Sequence, residues 1–325
     1  MKKIALEEHF SGPGFEHYLE SVRGLFNHSA YLEIESLLPE FNEKRLTAMD
    51  NAEIKIAVLS QTAPGVQRET DAKLALTLAR QSNDFLAKQI SLCPERYRGF
   101  ACLALQDPQE AARELKRCIN EYEFVGALVN GHTNGVYLDD KQYWPFWQTV
   151  AELDVPVYLH PADSYDQPHV YSGRPELHGA TYSWTCETAA HALRLVFGGV
   201  FDHFPSLKII LGHMGEALPF MLWRIDSRID IGPFGDKTKR KPSEIIRDHF
   251  VITTSGACSN GPLLCSLSEL GEESVMFSVD YPYEDTAAAV NFIENAPIPE
   301  NVREKVCFRN AERVLKISVS SGIDD

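Results

Sequence analysis

Side chains able to bind a metal or move a proton stand at the ends of several apolar runs. "KIALEEHF" (3–10) closes on Glu7, Glu8 and His9, "VPVYLHP" (155–161) on His160, "LKIILGHM" (207–214) on His213, and "VMFSVDYP" (275–282) on Asp280. Alternation along a strand puts Glu7 and His9 on one side and Glu8 on the other. Taken alone, such a pair serves equally well as a solvated strand terminus. Four strands delivering carboxylates and imidazoles to one rim are different, because burying such groups without partners costs several kcal/mol. A divalent cation satisfies them together. Glu7, His9, His160 and Asp280 offer mixed oxygen and nitrogen donors, a set suited to Zn2+ or Mn2+. "FVGALVN" (124–130) ends in Asn130, with no lysine to bridge a second ion, so one metal is expected.

A shared rim requires a closed frame. Eight short apolar, β-branched runs are expected as strands: 3–10, 54–60, 97–105, 124–130, 155–161, 207–214, 250–255 and 275–282. Near-continuous hydrophobicity of this kind suits parallel strands covered on both faces. Helical patterns separate them. In "DPQEAARELKRCINEY", Asp107 reads as N-cap, Pro108 as the first helical residue and Glu110 as the closing member of a capping box. In "TDAKLALTLARQSNDFLAKQI", Ala75, Leu78, Ala79, Leu86 and Ile90 form one stripe, with Asp71 at its start. Strands alternating with helices predict a single (β/α)8 TIM-type barrel domain over residues 1–325, with the polar residues on its C-terminal, catalytic face. A doubly wound open sheet would want a glycine-rich phosphate turn after an early strand, and none is present. The length beyond a minimal barrel falls in insertions at 11–45, 163–183 and 228–243, all after strand ends. The basic run 234–242 reads as a solvated loop and the tail 318–325 as frayed.

The chain has 325 residues and a formal charge of -15, which argues against non-specific binding to nucleic acid or an anionic membrane. An anionic substrate would therefore need local positive charge from a metal or an arginine. Seven cysteines without a CxxC pair fit reduced thiols in the cytoplasm. There is no signal peptide pattern and no membrane-length apolar run.

The stretches "KIALEEHF", "TAPGVQ" (62–67), "FVGALVN", "LDVPVYLHP" (153–161), "ETAAHALRL" (187–195), "LKIILGHMGEALPFMLWRID" (207–226), "ITTSG" (252–256) and "FSVDYPYE" (277–284) run in order along nearly the whole chain. With them the sequence resembles the amidohydrolase superfamily, and within it the dihydroxybenzoate decarboxylases acting on γ-resorcylate or 2,3-dihydroxybenzoate. The resemblance implies that Glu7, His9, His160 and Asp280 bind one metal, that His213 and Glu216 form a polar pair beside it, and that the protein is a homotetramer or homodimer. No organic cofactor is expected.

The chemistry expected is loss of CO2 from a small aromatic carboxylate bearing an ortho hydroxyl. Carboxylate and phenolic oxygens would chelate the metal, Asp280 would protonate the ring carbon, and His213 oriented by Glu216 would assist. Arg224 and Trp184 are candidate substrate contacts. Glu187 and His191, at i, i+4 spacing, are expected to pack rather than react. The alternative is a metal-dependent hydrolase or hydratase of lactonase type on the same barrel, with Asp280 as general base. A third class, a ligand-binding sensor, would not need the metal-binding rim.

Overall fold

The computed structural model describes residues 1–233 and 239–319, so most of the basic run 234–242 and of the tail 318–325 lies outside the described residues. Among these described residues nine strand segments occupy eight positions. These are β1 (Lys3–Phe10), β2 (Ile54–Gln61), β3 (Tyr97–Gly99), β4 (Ala101–Cys102), β5 (Ala127–Asn130), β6 (Val157–His160), β7 (Ile209–Leu211), β8 (Phe250–Thr253) and β9 (Val275–Met276). Every neighbouring pair is parallel, in the order β1-β2-β3 and β4-β5-β6-β7-β8-β9. Phe100 divides the run expected at 97–105. Its N–H bonds to Leu59 O on the β2 side at 2.9 Å, and Ala101 N bonds to Gly126 O on the other at 2.9 Å. One strand position thereby joins the two halves of a (β/α)8 barrel. β1 and β5 to β9 are buried at every residue, and β2 at all but Lys55, as strands sheathed by helices must be.

The helices begin where local chemistry favours them. Asp71 caps Ala72–Leu92 by accepting from Lys73 N and Leu74 N, and Asp107 caps Pro108–Tyr122 by accepting from Gln109 N and Glu110 N. The expected capping box is absent: the Glu110 carboxylate turns outward to Arg113 at 2.8 Å and Arg80 at 3.3 Å. Ala75, Leu78, Ala79 and Leu86 face the barrel as their spacing requires.

Two irregularities decide where the polar side chains end up. The first is the seam between β9 and β1, where no strand ladder forms. Leu6 N and Glu7 N both donate to Ser278 Oγ at 3.2 and 2.6 Å, and Val279 N donates to Glu8 Oε1 at 3.0 Å. His9 N reaches Tyr281 O at 2.7 Å, beside a lone parallel bridge between Glu8 and Tyr281. Side chains thus substitute for backbone partners where the barrel closes. β1 also bulges against β2, the four residues Ala5 to Glu8 spanning the three from Ala57 to Leu59. Bulges of this kind re-aim side chains at strand ends.

The second irregularity follows β7. His213, Met214, Gly215, Glu216 and Ala217 all have positive φ, at 50, 55, 75, 53 and 60°. They form one turn of left-handed helix, unfavourable by roughly 1–2 kcal/mol for each non-glycine residue. His213 therefore lies beyond the strand, and Asp280, itself at φ 81°, lies four residues past the end of β9.

Two outcomes follow from this geometry. A Cβ on Gly212 would meet Glu7 Oε2 at 2.6 Å, although the Gly212 backbone is ordinary at φ -73°. Gly212→Ala should therefore destabilise by about 1–3 kcal/mol through crowding alone, read as a lower denaturant midpoint; an unchanged midpoint would contradict this packing. Burial pushes the Glu8 carboxyl up from 4.5 to about 8, against the Val279 N–H and the Arg45 charge. The unfolded chain then releases a proton near pH 4.5 that the folded chain keeps to about pH 8, so this group makes stability fall as pH rises through that window. Glu8→Gln should flatten the fall in a chemical-denaturation series, and an unaltered slope would refute the assignment.

Candidate metal centre and ring pocket

Glu7 and His9 from β1 meet His160 from β6 at the C-terminal mouth of the barrel. One donor atom from each lies within 4.8 Å of the others. His160 Nε2 stands 3.4 Å from Glu7 Oε1, and the His9 and His160 rings meet edge to face at 4.9 Å. All three side chains are buried. Their outer contacts leave the inner atoms available. His160 Nδ1 donates to Pro161 O at 2.9 Å, which leaves the Nε2 lone pair facing inward. Glu7 Oε2 accepts from both Tyr158 OH and Ser255 Oγ, which leaves Oε1 without a partner. Ser60 Oγ holds His9 Nδ1 at 3.2 Å.

Asp280 stands beside this trio rather than within it. Its Oδ1 approaches His9 Nε2 to 3.1 Å, and its Oδ2 lies 3.4 Å from His213 Nε2. His213 Nδ1 in turn donates to Glu216 Oε1 at 2.8 Å across the left-handed turn. The result is a continuous row: His9, Asp280, His213, Glu216. Ser255 ties the two halves together, since its Oγ bonds to Glu7 and also accepts from His213 N at 3.1 Å.

The electrostatics of this row are those of desolvated groups leaning on one another. Burial raises the Glu7 carboxyl and lowers His160 well below its ordinary value. Burial would lower His213 too, but the Glu7 and Glu216 charges and the Asp280 contact overcome it and hold the imidazolium well above the usual range. Asp280 goes the other way: burial would raise it, and the His213 and His9 imidazoles more than offset that, keeping it ionised. Glu7 Oε1, His9 Nε2 and Asp280 Oδ1 are buried without hydrogen-bond partners. With the inward Nε2 of His160, the Glu7 and His9 atoms fit a divalent cation with mixed nitrogen and oxygen donors, and Asp280 Oδ1 lies beside them.

The centre opens into a cavity of about 320 Å³, ample for a substituted benzene ring. His160, His213, Glu216, Asp280 and Glu284 line its polar end, and Val22, Phe26, Trp184 and Tyr283 form its apolar walls. Phe26 stacks on Tyr283 at 5.8 Å, and Tyr283 presents its edge to the His9 ring at 5.5 Å. Trp184 is fixed by donating Nε1 to Asp163 Oδ1 at 2.9 Å. The 11–45 insertion supplies Val22 and Phe26, so it does cover the mouth.

The expected residues come together with one exception. Arg224 is exposed and does not line the cavity. It sits two residues past Leu222 on the helix Leu218–Ile231, whose buried face carries Leu218, Pro219 and Leu222, so about 200° of rotation turns it outward. Tyr182 is also exposed. Glu187 accepts from Tyr137 and Ser164, and His191 accepts from Leu138 N, both structural uses. Sequence reasoning missed Tyr158, Ser255, Phe26, Tyr283 and Glu284. Tyr158 had a legible signal, since it shares a strand face with His160 two residues on; the others have none in periodicity.

With this geometry in view, comparisons with known proteins are decisive about kinship. Residues 35–317 match the amidohydrolase family model. The γ-resorcylate decarboxylase of Polaromonas sp. (strain JS666) is 43% identical, the match covering 97% of this chain and 99% of that protein. A crystal structure of a dihydroxybenzoic acid decarboxylase from Polaromonas sp. JS666, with bound manganese and the inhibitor 2-nitroresorcinol, superimposes with a TM-score of 0.92 at 43% identity, over 97% of each chain. A 2,6-dihydroxybenzoate decarboxylase in complex with 2,6-dihydroxybenzoate gives a TM-score of 0.91 at 40% identity, over 98% of this chain and 100% of the other. Matched along nearly its whole length in both sequence and fold, this chain belongs to the amidohydrolase family, among its dihydroxybenzoate decarboxylases.

Proposed function

We propose that the protein is a metal-dependent, non-oxidative decarboxylase that converts 2,6-dihydroxybenzoate to resorcinol and CO2. The observation that carries this reading is the meeting of the Glu7, His9 and His160 donor atoms with the Asp280–His213–Glu216 row beside a ring-sized cavity. Glu7, His9 and His160, with Asp280 beside them, would hold one divalent cation, and the manganese named with a relative favours Mn2+ over Zn2+. A cation held there would supply positive charge to offset that of an anionic, ortho-hydroxylated substrate. Among the described residues no arginine or lysine lines the cavity, and His213 is a cationic contact there.

The residues then divide the work. Phe26, Tyr283 and Trp184 hold the ring and exclude water. The Glu7 and Glu216 carboxylates favour the imidazolium form of His213. Its Nε2 faces Asp280 Oδ2, and a proton passed to that oxygen makes a strong acid, since the surroundings favour the ionised carboxylate. A strong acid suits a weakly basic ring carbon. Asp280 delivers the proton to the carbon bearing the carboxylate, that carbon–carbon bond breaks, its electron pair restores the aromatic ring, and CO2 leaves. No oxidant is consumed.

The same reading places the protein as one domain, acting in the cytoplasm. All seven cysteines are free. No helix among the described residues is long and apolar enough to cross a membrane. Exposed Phe220, Trp223 and Ile231 on one helix support assembly into a homodimer or homotetramer.

The test is direct. Mn2+-loaded protein incubated with 2,6- or 2,3-dihydroxybenzoate, without NAD or oxygen, should release CO2 with loss of the benzoate absorbance, the 2,6-isomer being preferred. Chelation should abolish this and Mn2+ restore it. Lactone hydrolysis without CO2 release would replace the reading. Asp280→Asn should lower turnover at least about 100-fold in a folded protein, and an active Asn variant would remove Asp280 as the acid. His160→Ala should lose bound metal by elemental analysis; full occupancy would strike it from the ligand set.

A further inference from the structure

Arg45 takes no part in the proposed chemistry, yet it is a buried cation, 2% exposed, placed against the back of the metal centre. It comes from the helix Glu43–Asn51 at the end of the long excursion after β1. Its Nη2 donates to the carbonyl of His9 at 2.6 Å and its Nε to the carbonyl of Glu40 at 3.0 Å. The guanidinium also lies over the Tyr281 ring, 4.5 Å from the centroid. Glu40 fastens the same loop, its carboxylate accepting from Asn42 N at 2.7 Å and Arg45 N at 2.9 Å.

Those contacts fall on the joint where β9 and β1 meet without a strand ladder. His9 belongs to one side of it. Tyr281, the residue after Asp280, belongs to the other. The two sides touch through His9 N and Tyr281 O at 2.7 Å, and His9 Nε2 stands 3.1 Å from Asp280 Oδ1. A donor set spread across a joint held by side chains and one bridge, without a ladder, needs its span fixed, and a planar cation that bonds to one side while stacking on the other does so. Taking a guanidinium out of water is costly, and Nη1 has no hydrogen-bond partner, so the cation is held here by the His9 and Glu40 carbonyls and the Tyr281 ring. We propose that Arg45 is a positioning residue for the metal centre, its buried guanidinium bracing the β9–β1 joint so that His9 and Asp280 stand at ligand separation before the ion arrives. This rests on the metal-dependent reading above.

The experiment measures Mn2+ affinity of metal-free protein by calorimetric titration, with no substrate present, for wild type, Arg45→Met, Arg45→Lys and Arg117→Met. Arg117 is a partly buried arginine elsewhere, paired with Glu114 at 2.6 Å, and controls for general loss of stability. Arg45→Met should bind Mn2+ at least about tenfold more weakly, as loss of an outer support for a metal ligand does, while Arg117→Met binds as wild type. A folded Arg45→Met within twofold of wild type overturns the proposal, and so does an equal loss in Arg117→Met. If Arg45→Met does not fold, Arg45→Lys decides on the same twofold limit, because it keeps the charge and loses the fork. Wild-type protein that binds no Mn2+ defeats the metal-dependent reading itself, a result distinct from normal binding in every variant.

Discussion

Removing charge from water without a counter-charge is the constraint around which this molecule is organised. Glu7, Glu216 and Asp280 lie close together at the mouth of a largely apolar barrel, and hydrogen bonds and the His213 imidazole leave Glu7 Oε1, Glu216 Oε2 and Asp280 Oδ1 without a hydrogen-bond partner. The protein answers in layers. Hydroxyls of Tyr158 and Ser255 take one oxygen of Glu7, a peptide carbonyl fixes the tautomer of His160, and two imidazoles flank Asp280. What is left over is a small set of atoms aimed at one point. A cation there completes the balance, and the free energy that the fold withholds from those atoms becomes affinity for the ion.

Stability is surrendered elsewhere to make this possible. Five successive residues in a left-handed turn and a barrel joint stitched by Ser278, Glu8 and Arg45 are both poorer than the regular alternative. Both sit where the chemistry is. The regular ladder runs from β4 to β9, and the chain leaves it past β7 and β9 before reaching His213, Glu216 and Asp280, so of these groups the ladder itself places His160 alone. Strain and irregular pairing collected at a functional mouth, with uninterrupted packing behind it, are what a rigid but unusual arrangement requires.

Much of this was legible in the amino-acid order. Parallel strands buried on both sides leave continuous apolar runs, so all eight strand positions could be placed, and the polar residues terminating four of them pointed to a shared rim. Lengths were overestimated, because β7 and β9 stop at Leu211 and Met276 and the chain leaves the ladder before its functional residues. Arg224 misled because proximity along a helix says nothing about which way it is turned. The capping box at Glu110 failed because neighbouring arginines compete for the carboxylate. Positioning hydroxyls such as Ser255 and Ser278, and the wall formed by Phe26 with Tyr283, depend on contacts between residues more than 200 apart, and no local pattern records those.

The turn that holds His213 and Glu216 has a bearing on attempts to transplant the dyad. A histidine and a glutamate three positions apart also meet on an ordinary right-handed helix, so the motif looks portable. Here the pair is displayed by a backbone of the opposite hand, so the side chains fan out in a mirrored sense, with the imidazole Nε2 turned to Asp280 Oδ2. Copying the letters into a conventional scaffold would reproduce the hydrogen bond and lose its direction. Whoever borrows this pair must borrow the handedness of its peptide frame as well.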